Sequence, residues 1–68
     1  MKQVSGKEFA RIIQKHGWMF KRINGSHHVF VKQGHKERVV IPVHGNRPLK
    51  IGLLKRQMKI AGVMESDL

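Results

Sequence analysis

The stretch KRINGSHHVFV, residues 21–31, joins two runs of β-favouring residues through Asn24-Gly25. Asn-Gly is the strongest short hairpin signal, because a two-residue turn of this kind needs positive φ at both central positions. We therefore expect antiparallel strands over residues 18–23 and 27–32. This places His27 and His28 directly behind the turn.

The hairpin admits two registers, which expose different histidines. A two-residue loop at Asn24-Gly25 turns His28 outward on the side of Lys21. A three-residue loop over 24–26 instead turns His27 outward with Lys21 and places His28 on the inner face. Because alternate strand residues face opposite sides, a shift of one residue exchanges the two, and both registers stay open.

Helical patterns flank the sheet residues on both sides. Ser5 and Glu8 have capping-box spacing, and the apolar stripe that follows predicts a helix over about residues 5–16. A second helix is predicted over about residues 50–61. Its apolar stripe consists of Ile51, Leu54, Met58 and Ala61.

A third strand is predicted over residues 38–43, RVVIPV, from its density of Val and Ile. Pro42 cannot donate a ladder hydrogen bond, so it belongs near a strand end or at a sheet edge. The element order is then α-β-β-β-α. This order predicts an α+β fold in which one face of a small antiparallel sheet covers both helices and the other stays open to a partner.

The chain is short and strongly basic. Its 68 residues carry 14 Lys and Arg against 4 Asp and Glu, a formal charge of +10. A chain of this length hides only about 60% of its unfolded surface, so we expect a single domain over residues 1–68 with no deep substrate cavity. A charge excess of one sign predicts a polyanionic partner, either nucleic acid or an acidic protein.

The sequence has no cysteine, which removes disulfides, thiol nucleophiles and thiolate zinc sites. Apolar runs such as residues 39–41 are far shorter than the ~20 residues of a membrane span, and the N-terminus lacks an apolar signal region. We therefore expect a cytoplasmic protein with no membrane contact, no metal and no cofactor.

The histidines are the candidate reactive groups. The carboxylates are scattered, at Glu8, Glu37, Glu65 and Asp67, so a two-metal nuclease site is not expected. Imidazole exchanges protons near neutral pH and can serve a basic protein as general base or acid on a bound phosphodiester. RNA is favoured over DNA as substrate, because its 2′-hydroxyl is a built-in nucleophile.

Each candidate also has an ordinary structural interpretation. A strand histidine is more often a surface or packing residue than a catalyst. Neighbouring strand histidines point to opposite faces, so they do not readily chelate one metal together. Lys21, Arg22 and Lys32 are either a solvated face or phosphate contacts, and Phe30 is more often a core residue than a base-stacking platform.

The string GSHHVF, together with IPVHGNRPLKIGLLKRQMKIAGV at residues 41–63, resembles the HicA family, the small toxins of bacterial HicA-HicB toxin-antitoxin pairs. The similarity spans nearly the whole chain. It implies a fold like the double-stranded-RNA-binding domain, with a three-stranded antiparallel sheet and two helices on one face. It also implies ribonuclease activity on messenger RNA, inhibited by a HicB-type antitoxin protein.

The family has one essential histidine in a Gly-Ser-His motif on the second strand. Matched by position, the motif is Gly25, Ser26 and His27, which implies that His27 is catalytic and favours the three-residue loop. His28 is the second choice. The residues expected to contact RNA are Lys21, Arg22, Lys32, His44, Arg47 and Lys50.

Two hypotheses from different classes follow. The first is a metal-independent endoribonuclease toxin in which His27 moves a proton, with His28, His44 or Lys21 as the second proton-transfer group. The alternative is a non-catalytic module that binds structured RNA through phosphate and 2′-hydroxyl contacts. A DNA-binding protein is less favoured, because strands separate the helices and leave no helix-turn-helix.

Overall fold

The computed structural model describes residues 2–68 and has the predicted α-β-β-β-α order. The three strands form one antiparallel sheet in the order β1-β2-β3, which confirms the predicted α+β class. Within the described residues, no helix is long and apolar enough to cross a membrane. The elements are α1 Gly6–Lys15, β1 Met19–Asn24, β2 His27–Val31, β3 Val39–Pro42, α2 Ile51–Ala61 and a final 3-10 turn, Glu65–Asp67.

The first helix begins at the predicted capping box. Ser5 Oγ accepts a hydrogen bond from the Glu8 N–H at 3.1 Å, and Glu8 Oε1 accepts one from the Ser5 N–H at 3.2 Å. The bond from the Ser5 backbone lowers the pKa of the Glu8 carboxyl. His16 closes the helix, so the predicted range 5–16 is confirmed to within one residue at each end.

Both helices pack on the same face of the sheet. Phe30 on β2 is 1% exposed and lies in one cluster with apolar residues of α1 and α2. The predicted stripe of α2 is confirmed except at its first member, because Ile51 lies at the start of the helix and is 41% exposed. The core consists of Val4, Phe9, Ala10, Ile13, Trp18, Phe30, Val39, Ile41, Leu49, Leu54, Met58, Ala61 and Val63.

Trp18 connects the start of the sheet to the end of α2. The sequence pattern predicts it as a strand residue, but β1 begins at Met19 and Trp18 enters the core instead. Its indole Nε1 donates a hydrogen bond to the Ala61 carbonyl oxygen at 3.0 Å. This bond satisfies a carbonyl in the last turn of α2, where the helix itself offers no donor.

The outer edge of β3 has no free backbone donor along its paired length. The Val43 N–H donates to the Ser26 carbonyl at 2.9 Å, which makes His27 and Pro42 a non-hydrogen-bonded pair of the ladder. The N–H of Val40 therefore points away from β2, and it donates to Gln57 Oε1 of α2 at 3.3 Å. Pro42 takes the next outward position, where it has no N–H to satisfy, so its predicted place at a strand end and a sheet edge is confirmed.

Gly6 lets α1 approach the last residue of β3. A Cβ added to Gly6 would collide with the carbonyl oxygen of Pro42 and lie 3.2 Å from Ile41 Cγ2. The carbonyl oxygen is part of the backbone and cannot rotate away as a flexible side chain can. Glycine is therefore required here by a close approach between helix and strand.

Replacing Gly6 by alanine is expected to destabilise the protein. In an open helical position, Gly→Ala stabilises by up to about 1 kcal/mol, because alanine has less backbone entropy to lose. At Gly6 the clash with Pro42 outweighs this gain, and we expect Gly6→Ala to lower the free energy of unfolding by about 1–3 kcal/mol. Urea denaturation followed by circular dichroism measures the difference.

Gly52 provides the matched control. It lies in the first turn of α2, and a Cβ added to it has no atom within 4 Å. Gly52→Ala is therefore expected to leave stability unchanged or to raise it. A Gly6→Ala variant as stable as Gly52→Ala would show that α1 does not press against Pro42.

Candidate functional site

The turn that precedes the two histidines is a two-residue loop, but it lies one residue later in the sequence than the Asn-Gly signal predicts. Asn24 pairs with His27 and Ile23 with His28, so Gly25 and Ser26 are the loop residues. Gly25 has φ +65°, and no residue other than glycine has positive φ in the described chain. Positive φ at the first central position alone is the pattern of a type II′ turn, which requires glycine there and accepts serine second.

A β-bulge at Lys21 then changes the pairing along the rest of the hairpin. The register shifts between Phe20 and Arg22, and Phe20 pairs with Phe30. The three-residue loop is therefore wrong as a loop, although it predicts this pairing and the inner position of Phe20, His28 and Phe30 correctly. The extra residue lies at Lys21 in the strand and not in the turn.

The two histidines lie on opposite faces of the sheet. His28 shares the helix-covered face with Phe30, is half-buried, and meets the Phe20 ring edge to face at a centroid distance of 6.2 Å. His27 lies on the outer face and is exposed. The register with the loop at Asn24-Gly25, which turns His28 outward, is wrong. Of the two side chains, only His27 is presented to a partner on the outer face.

Ser26 connects the turn to a third histidine. Its hydroxyl Oγ lies 3.4 Å from His44 Nε2, and its carbonyl oxygen accepts the Val43 N–H at 2.9 Å. His44 is exposed and lies just beyond the end of β3. The structure thus brings His44 to the same end of the sheet as His27, which neighbouring sequence positions do not reveal.

The cations predicted to contact RNA are divided between the two ends of the sheet. Arg22 pairs with Val29, so it is a diagonal neighbour of His27 on the outer face. Lys32 follows the far end of β2, about 16 Å from His27 at ~3.3 Å per residue, and its side chain lies against Gly17. Lys21 is exposed at the bulge. The structure therefore joins Arg22 to the histidine site and leaves Lys32 out of it.

A pocket of about 360 Å³ lies next to the histidines, between the end of β3 and the start of α2. Three of the predicted RNA contacts, His44, Arg47 and Lys50, line it. The short chain predicts no deep cavity, and no sequence pattern predicts this pocket. The only signal is that Pro, His, Arg and Lys occur together over residues 42–50, which does not show that these side chains surround one space.

Two of the four carboxylates have structural contacts. Glu8 caps α1, and Asp67 Oδ2 accepts the Met64 N–H at 2.8 Å and lies 3.4 Å from His16 Nε2. Over residues 2–68, no three His, Cys, Asp or Glu side chains are grouped so that they could hold a metal ion. None of the acids lines the pocket or belongs to β2. The groups assembled at this end of the sheet are imidazoles, a hydroxyl and cations.

One family model matches the chain. Its description is "HicA toxin of bacterial toxin-antitoxin", and the match covers residues 6–63. The matched segment begins at the first residue of α1, ends just after α2, and includes the hairpin turn, His27 and the pocket. None of the curated proteins compared with the chain matches it.

The turn geometry predicts a measurable cost of replacing Gly25. A Cβ added at Gly25 has no atom within 4 Å, so an effect on stability would come from the backbone alone. We expect Gly25→Ala to lower the free energy of unfolding by about 1–2 kcal/mol, and Gly25→Asn to lower it less, because Asn tolerates positive φ better. Equal stability of all three proteins in urea denaturation would mean that the turn does not need a left-handed residue.

Proposed function

We propose that this chain, which belongs to the HicA family of toxins of bacterial toxin-antitoxin systems, is a metal-independent endoribonuclease that cleaves messenger RNA. One observation carries the proposal. His27 is exposed on the open face of the sheet, at the end where His44, Arg47 and Lys50 also lie. An RNA strand bound there meets an imidazole and several cations together.

In the proposed reaction, His27 acts as the general base, and a second side chain acts as the general acid. The His27 imidazole takes the proton of a ribose 2′-hydroxyl, and the 2′-oxygen attacks the adjacent phosphorus. The bond from phosphorus to the 5′-oxygen breaks, and that oxygen receives a proton from a second group. The products are a 2′,3′-cyclic phosphate and a free 5′-hydroxyl, and no metal takes part.

His44 is the best-placed second proton-transfer group. His28 lies on the opposite face of the sheet, packed against Phe20. Lys21 lies at the bulge, well along β1 from the turn. His44 is held at the correct end by its contact with Ser26. We therefore propose that Ser26 positions His44 while Gly25 shapes the turn that presents His27.

The cations bind the RNA backbone. Arg22 lies beside His27 on the outer face, and Arg47 and Lys50 project at the pocket. Each phosphate that a cation neutralises releases counterions, so a chain of charge +10 gains affinity for any RNA strand. Lys21 and Lys32 contribute to the overall field but lie away from the reacting phosphate.

The antitoxin is the second proposed partner. We propose that it is a HicB-type protein with an acidic surface that covers the outer face and the pocket, because burying these cations against neutral groups would be unfavourable. The toxin acts in the cytoplasm, where its messenger RNA substrate is translated.

The adjacent histidines allow a matched test of catalysis. We expect His27→Ala to reduce RNA cleavage about 100- to 10,000-fold, the usual cost of losing a general acid or base, and to leave RNA affinity nearly unchanged. His28→Ala, which changes the neighbouring residue on the opposite face, is expected to retain cleavage. The measurement is cleavage of a labelled RNA by purified protein in the presence of EDTA.

Thermal melts of both variants establish that each is folded at the assay temperature. Products bearing a 2′,3′-cyclic phosphate, and resistance of a strand with 2′-deoxyribose throughout, are expected from the same reaction. Cleavage by His27→Ala at the wild-type rate contradicts the role of His27. A retarded complex with fully intact RNA in every lane would instead support a module that binds structured RNA without cleaving it.

The antitoxin complex is expected to weaken with salt. Raising NaCl from 0.1 to 1 M shortens the Debye length from about 10 to about 3 Å, and we expect affinity to fall about tenfold or more. Arg47→Gln should weaken the complex, whereas Arg11→Gln, an exposed cation of α1 on the other side of the sheet, should not. Isothermal titration at both salt concentrations measures this, and a salt-independent affinity contradicts the acidic surface.

A further inference from the structure

The pocket beside His27 has an apolar floor and a cationic rim. Leu49 is buried, and Pro42 and Leu53 are half-buried, so hydrocarbon forms the deeper walls. His44, Arg47 and Lys50 are exposed at its opening, as the rim. Its volume of about 360 Å³ is at the lower end of the ~300–1,000 Å³ that small-molecule sites occupy.

The pocket adjoins the proposed reaction centre through the sheet itself. Pro42, which lines it, is the cross-strand partner of His27 in a non-hydrogen-bonded pair. The Cα atoms of such a pair are only about 4.5 Å apart, and both side chains lie on the same face. His44 belongs to the rim and also contacts Ser26 of the hairpin turn. A nucleotide next to the scissile phosphate therefore reaches the pocket without crossing the protein.

We infer that this pocket binds one unpaired base of the RNA, adjacent to the cleaved phosphate, and that the substrate is therefore single-stranded at the cut. This inference rests on the proposed ribonuclease function. A base has two apolar faces, which suit the proline and leucine floor, and stacks on an imidazole such as that of His44. Arg47 and Lys50 at the rim meet the phosphates on either side of it.

The apolar floor distinguishes a base from a phosphate alone as the occupant. A phosphate group is strongly hydrated and would lose that hydration against Leu49 and Leu53 without a compensating hydrogen bond. A base inside a duplex is equally unsuited, because its faces are covered by its neighbours in the stack. Of these three nucleic-acid groups, the unpaired nucleotide is the one that offers an apolar surface for the floor and negative charge for the rim at once.

The first turn of α2 also favours the binding of a phosphate beside the pocket. Unlike α1, it has no side-chain cap and no acidic residue, and its Lys50 and Leu53 line the pocket. The free N–H groups of this turn add positive potential beside the pocket, which favours a phosphate there. This contribution is the same for every RNA sequence.

The test measures binding by the His27→Ala protein, so that no strand is cut. Three fluorescently labelled probes of equal length are compared by anisotropy: a single-stranded RNA of mixed sequence, the same RNA annealed to its complement, and a ribose-phosphate strand without bases. We expect the single strand to bind about 5- to 150-fold more tightly than the strand without bases, the range for one stacked base. The duplex should show no such advantage.

Leu53→Gln, added to His27→Ala, replaces an apolar wall of the pocket with a polar amide and should reduce the difference between the base-containing and base-free strands, leaving the salt-dependent binding of both. Ile60→Gln is the matched control, because Ile60 is also half-buried on α2 but lies two turns away from Leu53. It should keep the full difference. Equal affinity of His27→Ala for strands with and without bases would falsify the pocket assignment.

A second measurement needs no change in the pocket, in case Leu53→Gln does not fold. The methyl resonances of Leu53 in the His27→Ala protein are followed by NMR as each probe is added. A ring-current shift with the single strand and none with the base-free strand supports the inference, and no shift with either overturns it. If the wild-type protein cleaves RNA but the His27→Ala protein binds strands with and without bases equally, only the pocket assignment fails. If the His27→Ala protein shows base dependence but the wild-type protein does not cleave RNA, only the proposed ribonuclease activity fails.

Discussion

The burial of Phe30 determines which histidine the protein presents. Phe30 is 1% exposed and packs between the sheet and both helices, where an apolar side chain of this size contributes about 1.5–3 kcal/mol. Residues of a strand alternate between faces, so an inward Phe30 requires an inward His28 and an outward His27. No contact of His27 itself is needed to aim it. The direction of the candidate catalytic group follows from the core, and a slip of one residue would have to expose Phe30.

The sequence predicts the elements well because their signals are local. The capping box at Ser5, the β-branched run of β3 and the stripe of Leu54 and Met58 each act within a few residues. The hairpin register depends on two irregularities that compensate each other, a turn at Gly25-Ser26 and a bulge at Lys21, and no local signal favours that combination over a longer loop. The pocket is less predictable still: its lining residues lie within one stretch, residues 42–53, but they surround one space only through the path that the chain takes between β3 and α2.

The two edges of the sheet differ in a way that hydrophobic patterning does not reveal. Both helices pack against β3, and all six residues of β1 stay exposed, including Phe20 at 51% and Ile23 at 54%. Phe20 pairs with Phe30 and lies on the inner face of the sheet, but no helix extends far enough to cover it. An open apolar edge invites pairing with another chain. Here the bulge and charge of Lys21 interrupt that edge, and a charge of +10 opposes the approach of a second copy.

Pro42 connects the stability of this small domain to its function. Its carbonyl oxygen lies against Gly6, and its ring nitrogen, which carries no hydrogen, lies at the outer edge of β3. Its ring also lines the pocket, and it is the cross-strand partner of His27. The packing of α1 therefore fixes the position of the strand that flanks the proposed reaction centre. A chain of this length buries too little surface to stabilise a second set of elements that would only support the site. Placing the site on a backbone segment that the helices already immobilise fixes its geometry without additional ordered structure.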